Sequence, residues 1–203
     1  MSSSSHQPTP QMHPRSASRQ RTIRALKILG SWALALLVAL ALQRYAFQSY
    51  QVFGQSMEPT LTEGDYLIIS KLGATWADIS RHNYIPERGE IVVIKSPLTG
   101  NRLIKRVIGL PGERITITNG RVTIYNQQFS DGFDPYQQLG LESSFTAGQL
   151  TTVVPDGNLF LIGDNREAGG SLDSRNDLGP VPSDDVIGKL VLRLWPFSKI
   201  HKY

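Results

Sequence analysis

The run from Ile28 to Gln43 holds 16 residues without a charge, most of them Leu, Ala, Val or Ile. Such a segment leaves water, either for a protein core or for a bilayer. A helix needs about 20 apolar residues to cross the hydrocarbon. Lys27 and Arg44 at the two ends can lay their stems along the apolar surface and reach the headgroups, and Tyr45, Phe47 and Tyr50 suit an interface. With those flanks the segment spans as a retained anchor, expected over residues 25–47. The basic residues ahead of it place the N-terminus on the cytoplasmic side and everything after Tyr45 outside. Two readings compete. Ala33-Leu34-Ala35 and Ala39-Leu40-Ala41 fit the small-x-small pattern of a cleavable secretory signal, and the Arg/Ser-rich, acid-poor start resembles a transit peptide.

The charge distribution separates the tail from the rest. Residues 1–57 lack Asp and Glu but hold Arg15, Arg19, Arg21, Arg24, Lys27 and Arg44, leaving 15 basic against 17 acidic residues beyond them. The net charge of +4 therefore belongs to the tail. A nucleic-acid groove calls for a basic folded domain, so that partner is set aside. Residues 1–24 form an expected disordered tail, since Ser, Gln, Pro, His and Arg bury too little surface to order. The chain has no cysteine, which excludes disulfides, thiolate metal sites and cysteine nucleophiles.

Residues 48–203 read as one β-rich domain. Tyr66–Lys71, Ile91–Ser96, Leu103–Gly109, Leu159–Gly163 and Lys189–Trp195 are short, aliphatic and bounded by turn residues. Ile115–Thr118 and Arg121–Tyr125 flank Asn119-Gly120, a hairpin signal because both turn residues tolerate positive φ. Residues 126–150 are polar and read as an inserted loop region. The expected fold class is mainly β, an antiparallel sheet behind one transmembrane helix.

Two residues carry the chemistry. Ser56 sits in Gly54-Gln55-Ser56-Met57-Glu58-Pro59-Thr60-Leu61, nine residues beyond Phe47. Even an extended chain carries it no more than roughly 30 Å from the membrane exit. Most turn serines are only polar turn residues. Lys105 sits in Ile104-Lys105-Arg106-Val107-Ile108-Gly109-Leu110-Pro111-Gly112-Glu113, where a strand lysine is ordinarily a solvated edge charge. Strand alternation instead puts Leu103, Lys105 and Val107 on one face. Packed inward, that face lowers the lysine pKa and frees an amine to take a serine proton. Of His6, His13, His82 and His201, only His82 stands as an alternative base. A third segment, Gly163-Asp164-Asn165-Arg166-Glu167-Ala168-Gly169-Gly170-Ser171-Leu172-Asp173-Ser174-Arg175, supplies four charges able to form a structural network. Asp164, Asn165, Asp173 and Asp177 do not match an EF-hand spacing, and two arginines oppose a cation, so no metal is expected.

These three segments, in this order behind an apolar anchor, resemble the type I signal peptidases, membrane-bound serine proteases that remove signal peptides from exported proteins. The resemblance spans residues 26–197. It implies a Ser56 nucleophile, a Lys105 general base, and Ser171 bonded to the lysine amine. It implies Asp173 with Arg175 as a supporting pair, Asp164 and Arg166 in the same loop, Arg106 within the lysine motif, and the Ser56 N–H as an oxyanion donor. It implies secretory preproteins and the lipid bilayer as partners, no cofactor, and a catalytic domain outside the cytoplasm at a plasma or thylakoid membrane. Two departures stand out. Gly54 occupies a position where some members carry an oxyanion-stabilising serine. The third motif is two residues longer here between its Arg and its Ser, through Glu167-Ala168-Gly169-Gly170. The alternatives are a related Ser-Lys protease acting on another membrane substrate or on itself, and a membrane-tethered β domain that only binds partners.

Overall fold

The computed structural model describes residues 15–203; the part of the expected tail over residues 1–14 lies outside the described residues. Helix α1 runs from Arg15 to Ala41, ten residues ahead of the expected anchor start. Ala, Arg, Gln, Leu and Lys favour helix, and neither Gly nor Pro occurs from Arg15 up to Gly30. Within the chain, Ile23–Ala46 is a 24-residue stretch long and apolar enough to cross a membrane. At 1.5 Å per residue that is about 36 Å of helix, against about 30 Å of hydrocarbon. Leu26, Leu29, Trp32, Leu34, Leu36 and Leu37 are all more than half exposed.

The unit from Gln43 to Tyr203 is built separately from the helix. After a π-helical turn over Leu42–Ala46 come β1 (Phe47–Gln51), β2 (Tyr66–Ser70), α2 (Leu72–Ser80), β3 (Ile91–Lys95) and β4 (Arg102–Gly109). Then follow β5 (Arg114–Thr118), β6 (Arg121–Tyr125), α3 (Pro135–Gln138), β7 (Leu150–Val153), β8 (Asn158–Ile162), β9 (Val181–Pro182), β10 (Val186–Trp195) and β11 (His201–Lys202). Every pairing between strands is antiparallel. The larger sheet has the order β1-β2-β10-β3-β4-β8-β9, with β11 beside β10; the smaller is β6-β5-β7. The expected mainly β, antiparallel class with one N-terminal apolar helix therefore holds.

Hydrophobic pattern decides which strands are central. Ile91–Ile94 and Leu159–Ile162 are buried on both faces, and β3 and β8 flank β4 inside the sheet. The β5–β6 hairpin turns through Asn119 at φ 53° and Gly120 at φ 78°, the left-handed pair that Asn-Gly supplies. Its inward Ile115, Ile117, Val122 and Ile124 pack with Tyr136, Phe160 and Ile162.

The segment 126–150, expected as a loop, contains more structure than its polarity suggests. Asp134 Oδ1 accepts from the Tyr136 and Gln137 backbone N–H groups and caps α3, with Pro135 at its first turn. Tyr136 is driven into the core at 2% exposure. The returning chain closes on the third motif through Ala147 N–H, which donates to Arg166 O at 2.9 Å.

Candidate active site

Ser56 lies in the loop from β1 to β2, and both the ends and the middle of that loop are fixed. Val52 N–H donates to Asp65 O at 2.9 Å and Gly64 N–H to Val52 O at 3.0 Å. Met57 and Leu61 are buried among Val52, Leu67, Ile69, Ile91 and Val93. Gly54 enters the loop at φ +79°, a conformation a β-carbon disfavours. Ser56 is thus a half-buried hydroxyl on a backbone anchored by its apolar neighbours.

Lys105 comes from β4, and its side chain is almost wholly out of water at 2% exposure. Its Nζ lies 2.8 Å from Ser56 Oγ and donates to Ile104 O at 2.9 Å. Burial pulls the amine from 10.5 down to about 8; Asp173 opposes the shift, Arg175 adds to it and Asp164 opposes it. Desolvation outweighs the two carboxylates because a guanidinium already partners each of them.

Register brings the third motif to this point. Arg106 pairs with Ile162 at the end of β8, so Gly163 and Asp164 emerge beside Lys105. Arg106 Nε donates to Asp164 Oδ1 at 2.8 Å and its Nη2 to Oδ2 at 2.5 Å, while Nη1 donates to Gly89 O at 2.8 Å. Asp173 is fully buried and accepts from Arg175 Nε at 2.9 Å, Arg175 Nη2 at 2.8 Å, Arg175 N–H at 3.1 Å and Gly163 N–H at 3.0 Å. Arg175 also donates to Arg166 O at 2.9 Å. Of the four charges of the loop, Asp173 and Arg175 pair with each other, while Asp164 and Arg166 find partners outside it. Arg106 takes Asp164, Arg175 takes Asp173, and Arg166 instead lies 3.3 Å over the Tyr136 ring.

Ser171 differs from its expected role. Its buried Oγ has no hydrogen-bond partner, the lysine amine included. That amine bonds Ser56 Oγ and Ile104 O, and the Ser171 hydroxyl lies over the α-carbon of Gly163. His82 is exposed, with Nδ1 2.7 Å from Ser80 O, so nothing directs its ring to Ser56.

Sequence reasoning passed over two residues that hold Ser56. Asn165 N–H donates to Ser56 O at 3.1 Å and Asn165 Nδ2 to Gln55 O at 3.2 Å, clamping the backbone at Ser56 from the third motif. Gly163 sits where a β-carbon would come within 2.4 Å of Ser56 O and 2.3 Å of Ser171 Oγ. The backbone contact cannot be relieved by a side-chain rotation. Gly163→Ala is accordingly expected to lower kcat about 100-fold, the scale of a misplacement near 1 Å, with the chain still folded by circular dichroism. A turnover within twofold of the parent would mean that the Ser56 backbone is not set by this contact.

A cavity of about 280 Å³ opens at Ser56, lined by Tyr50, Val52, Phe53, Met57, Ile104 and Lys105 among others. Beside it, β4 pairs with β8 only from Arg106 onward, so the Arg102–Lys105 edge opposite β3 is open.

An antiparallel β unit behind an apolar helix, with a serine hydroxyl on a desolvated amine, defines the class of a serine hydrolase. The sequence matches the family described as "Signal peptidase, peptidase S26" over residues 25–195. It is 33% identical to the signal peptidase I of Leptolyngbya laminosa, over 98% of this chain and 96% of the relative. It is 34% identical to the signal peptidase I of Bacillus caldolyticus, over 83% of this chain and 90% of the relative. A solved signal peptidase I from Enterococcus faecalis is 28% identical, with a TM-score of 0.39 over 53% of this chain and 97% of that one. The chain belongs to the signal peptidases of the peptidase S26 family.

Proposed function

We propose that this chain removes signal peptides from exported preproteins, with Ser56 as nucleophile and Lys105 as general base. The carrying observation is the 2.8 Å separation of Ser56 Oγ from an amine buried at 2% exposure. A neutral Lys105 accepts the Ser56 proton as Oγ attacks the scissile carbonyl. The ammonium so formed then gives its proton to the departing amine, leaving an acyl-enzyme. Water enters, Lys105 takes one of its protons, and the hydroxide adds to the ester carbonyl. Ser56 Oγ leaves with the proton returned by Lys105, and the signal peptide departs as a carboxylate.

The Ser56 N–H donates to no backbone carbonyl among the described residues, so it is free to meet the oxyanion. The open edge of β4 suits an extended substrate that adds a strand and sends alternate side chains into the cavity. A space of about 280 Å³ shared by two such side chains favours small residues before the cut. The candidate span would hold the enzyme in the bilayer with its N-terminus in the cytoplasm and the β unit outside. A preprotein held there by its own apolar segment meets Ser56 in a shared plane, which raises its effective concentration.

The pH profile tests the base. Only neutral Lys105 accepts the proton, and its pKa is about 8. The rate kcat/KM is therefore expected to rise about tenfold per pH unit below 8 and to level above it. A profile flat from pH 6 to 10 contradicts the assignment.

A further inference from the structure

Helix α2 has its amphipathicity inverted for a helix on a water-soluble domain. Leu72, Trp76 and Ile79 fall at i, i+4 and i+7 and form one stripe, exposed at 54%, 70% and 70%. The side turned to the domain carries small residues. Ala77 is buried, and Gly73 packs so closely on Tyr84 that a β-carbon would come 2.3 Å from the ring. The large apolar side chains thus point away from the fold, where burial would have stabilised it.

The position of the stripe indicates what covers it. Lys71, just before α2, donates its N–H to Ala46 O at 2.7 Å, and Thr75 Oγ1 donates to Tyr45 O at 2.9 Å. Tyr45 and Ala46 are the last two residues of the candidate span. The first turn of α2 is therefore stitched to the point where the chain leaves the bilayer. Cations gather at the same place. Lys71 has its pKa lowered by partial burial first, then by the nearby charges of Arg44 and Arg102. Arg44 also lies 5.3 Å from the Tyr45 ring centroid. Three like charges around an exposed apolar stripe are unfavourable in water and favourable against anionic headgroups.

We infer that α2 is an interfacial helix, which inserts Leu72, Trp76 and Ile79 among the acyl-chain ends while Arg44, Lys71 and Arg102 meet anionic lipid phosphates. It fixes the β unit against the bilayer at a second point beyond the span itself. This rests on the reading of Ile23–Ala46 as membrane-embedded, and the test separates the two.

The full chain is reconstituted in phosphatidylcholine–phosphatidylglycerol vesicles, with tryptophan kept only at position 76 (Trp32→Phe with Trp195→Phe) or only at position 32 (Trp76→Phe with Trp195→Phe). Acyl chains brominated near the headgroup or near the bilayer centre then report depth. Trp76 is expected to emit to the blue of a hydrated indole and to lose most intensity to the shallow bromines, less so in phosphatidylcholine alone. Trp32 is expected to respond to the deep ones. A Trp76 that emits as in water and is unquenched, while Trp32 is quenched, overturns the inference and leaves the anchor standing. If neither is quenched, the anchor and the inference fall together. A blue-shifted, unquenched Trp76 whose shift fades as lipid is added in excess would mean that a second copy covers the stripe, which also overturns it.

Discussion

Lys105→Met is expected to cut preprotein processing by about 10,000-fold or more and, at the same time, to raise the unfolding temperature at pH 7. The two effects have one cause. Burial takes the amine from 10.5 in the unfolded chain to about 8 in the folded one. At pH 7 the folded state therefore holds an ammonium it disfavours, at a cost of about 3 kcal/mol. That cost is fully present below pH 8 and disappears as the pH climbs toward 10.5. Methionine fills similar space without a charge, so the penalty is removed along with the base. The stability advantage of Lys105→Met should shrink between pH 7 and pH 10, as followed by thermal unfolding. Ser56→Ala should abolish processing equally, without this pH-dependent gain. A Lys105→Met protein with undiminished turnover would remove Lys105 from the reaction.

The second large effect concerns the Asp173–Arg175 pair. Asp173 is fully buried and takes four hydrogen bonds from Arg175 and Gly163. Asp173→Ala strands a guanidinium with 6% side-chain exposure and is expected to destabilise the fold by about 3–5 kcal/mol. The double variant with Arg175→Ala should cost less than the two single losses combined, since neither charge is then orphaned. A milder pair of substitutions separates scaffold from electrostatics. Asp173 raises the Lys105 pKa and Arg175 lowers it. Asp173→Asn should therefore move the pH–rate profile to lower pH, and Arg175→Gln should move it to higher pH. Displacement of both profiles in the same direction would show that the pair acts on Lys105 only through geometry.

The core strands were legible because burial on both faces leaves continuous aliphatic runs such as Ile91–Ile94. The turn at Asn119-Gly120 was legible from local backbone preference alone. Strand β1, Phe-Gln-Ser-Tyr-Gln, was not, since a polar edge strand takes its structure from pairing with β2. Strand alternation singled out Lys105 by giving it aliphatic neighbours along β4. It could not pair the charges of the third motif. Asp164, Arg166, Asp173 and Arg175 admit several pairings, and the register of β4 on β8 selects among them by bringing in Arg106. Gly163 and Asn165 were hidden for a similar reason, because their contacts with Ser56 span more than a hundred residues of sequence. Residues 15–24 read as tail because they are charged and polar, although most of them favour helix and α1 already begins at Arg15. The outward stripe of α2 shows only once Gly73 and Ala77 are seen to face the domain.

The most direct test titrates the Lys105 amine itself. With lysines labelled by 13C at Cε and 15N at Nζ, the Lys105 resonance is assigned by its absence in Lys105→Arg and followed from pH 6 to 11 in the full chain. A midpoint near 8 is expected, with an ammonium at neutral pH that loses its proton well before the other lysines. A midpoint near 10.5, the value of an amine in water, would contradict the claim that this site holds a serine hydroxyl against a base made available by burial.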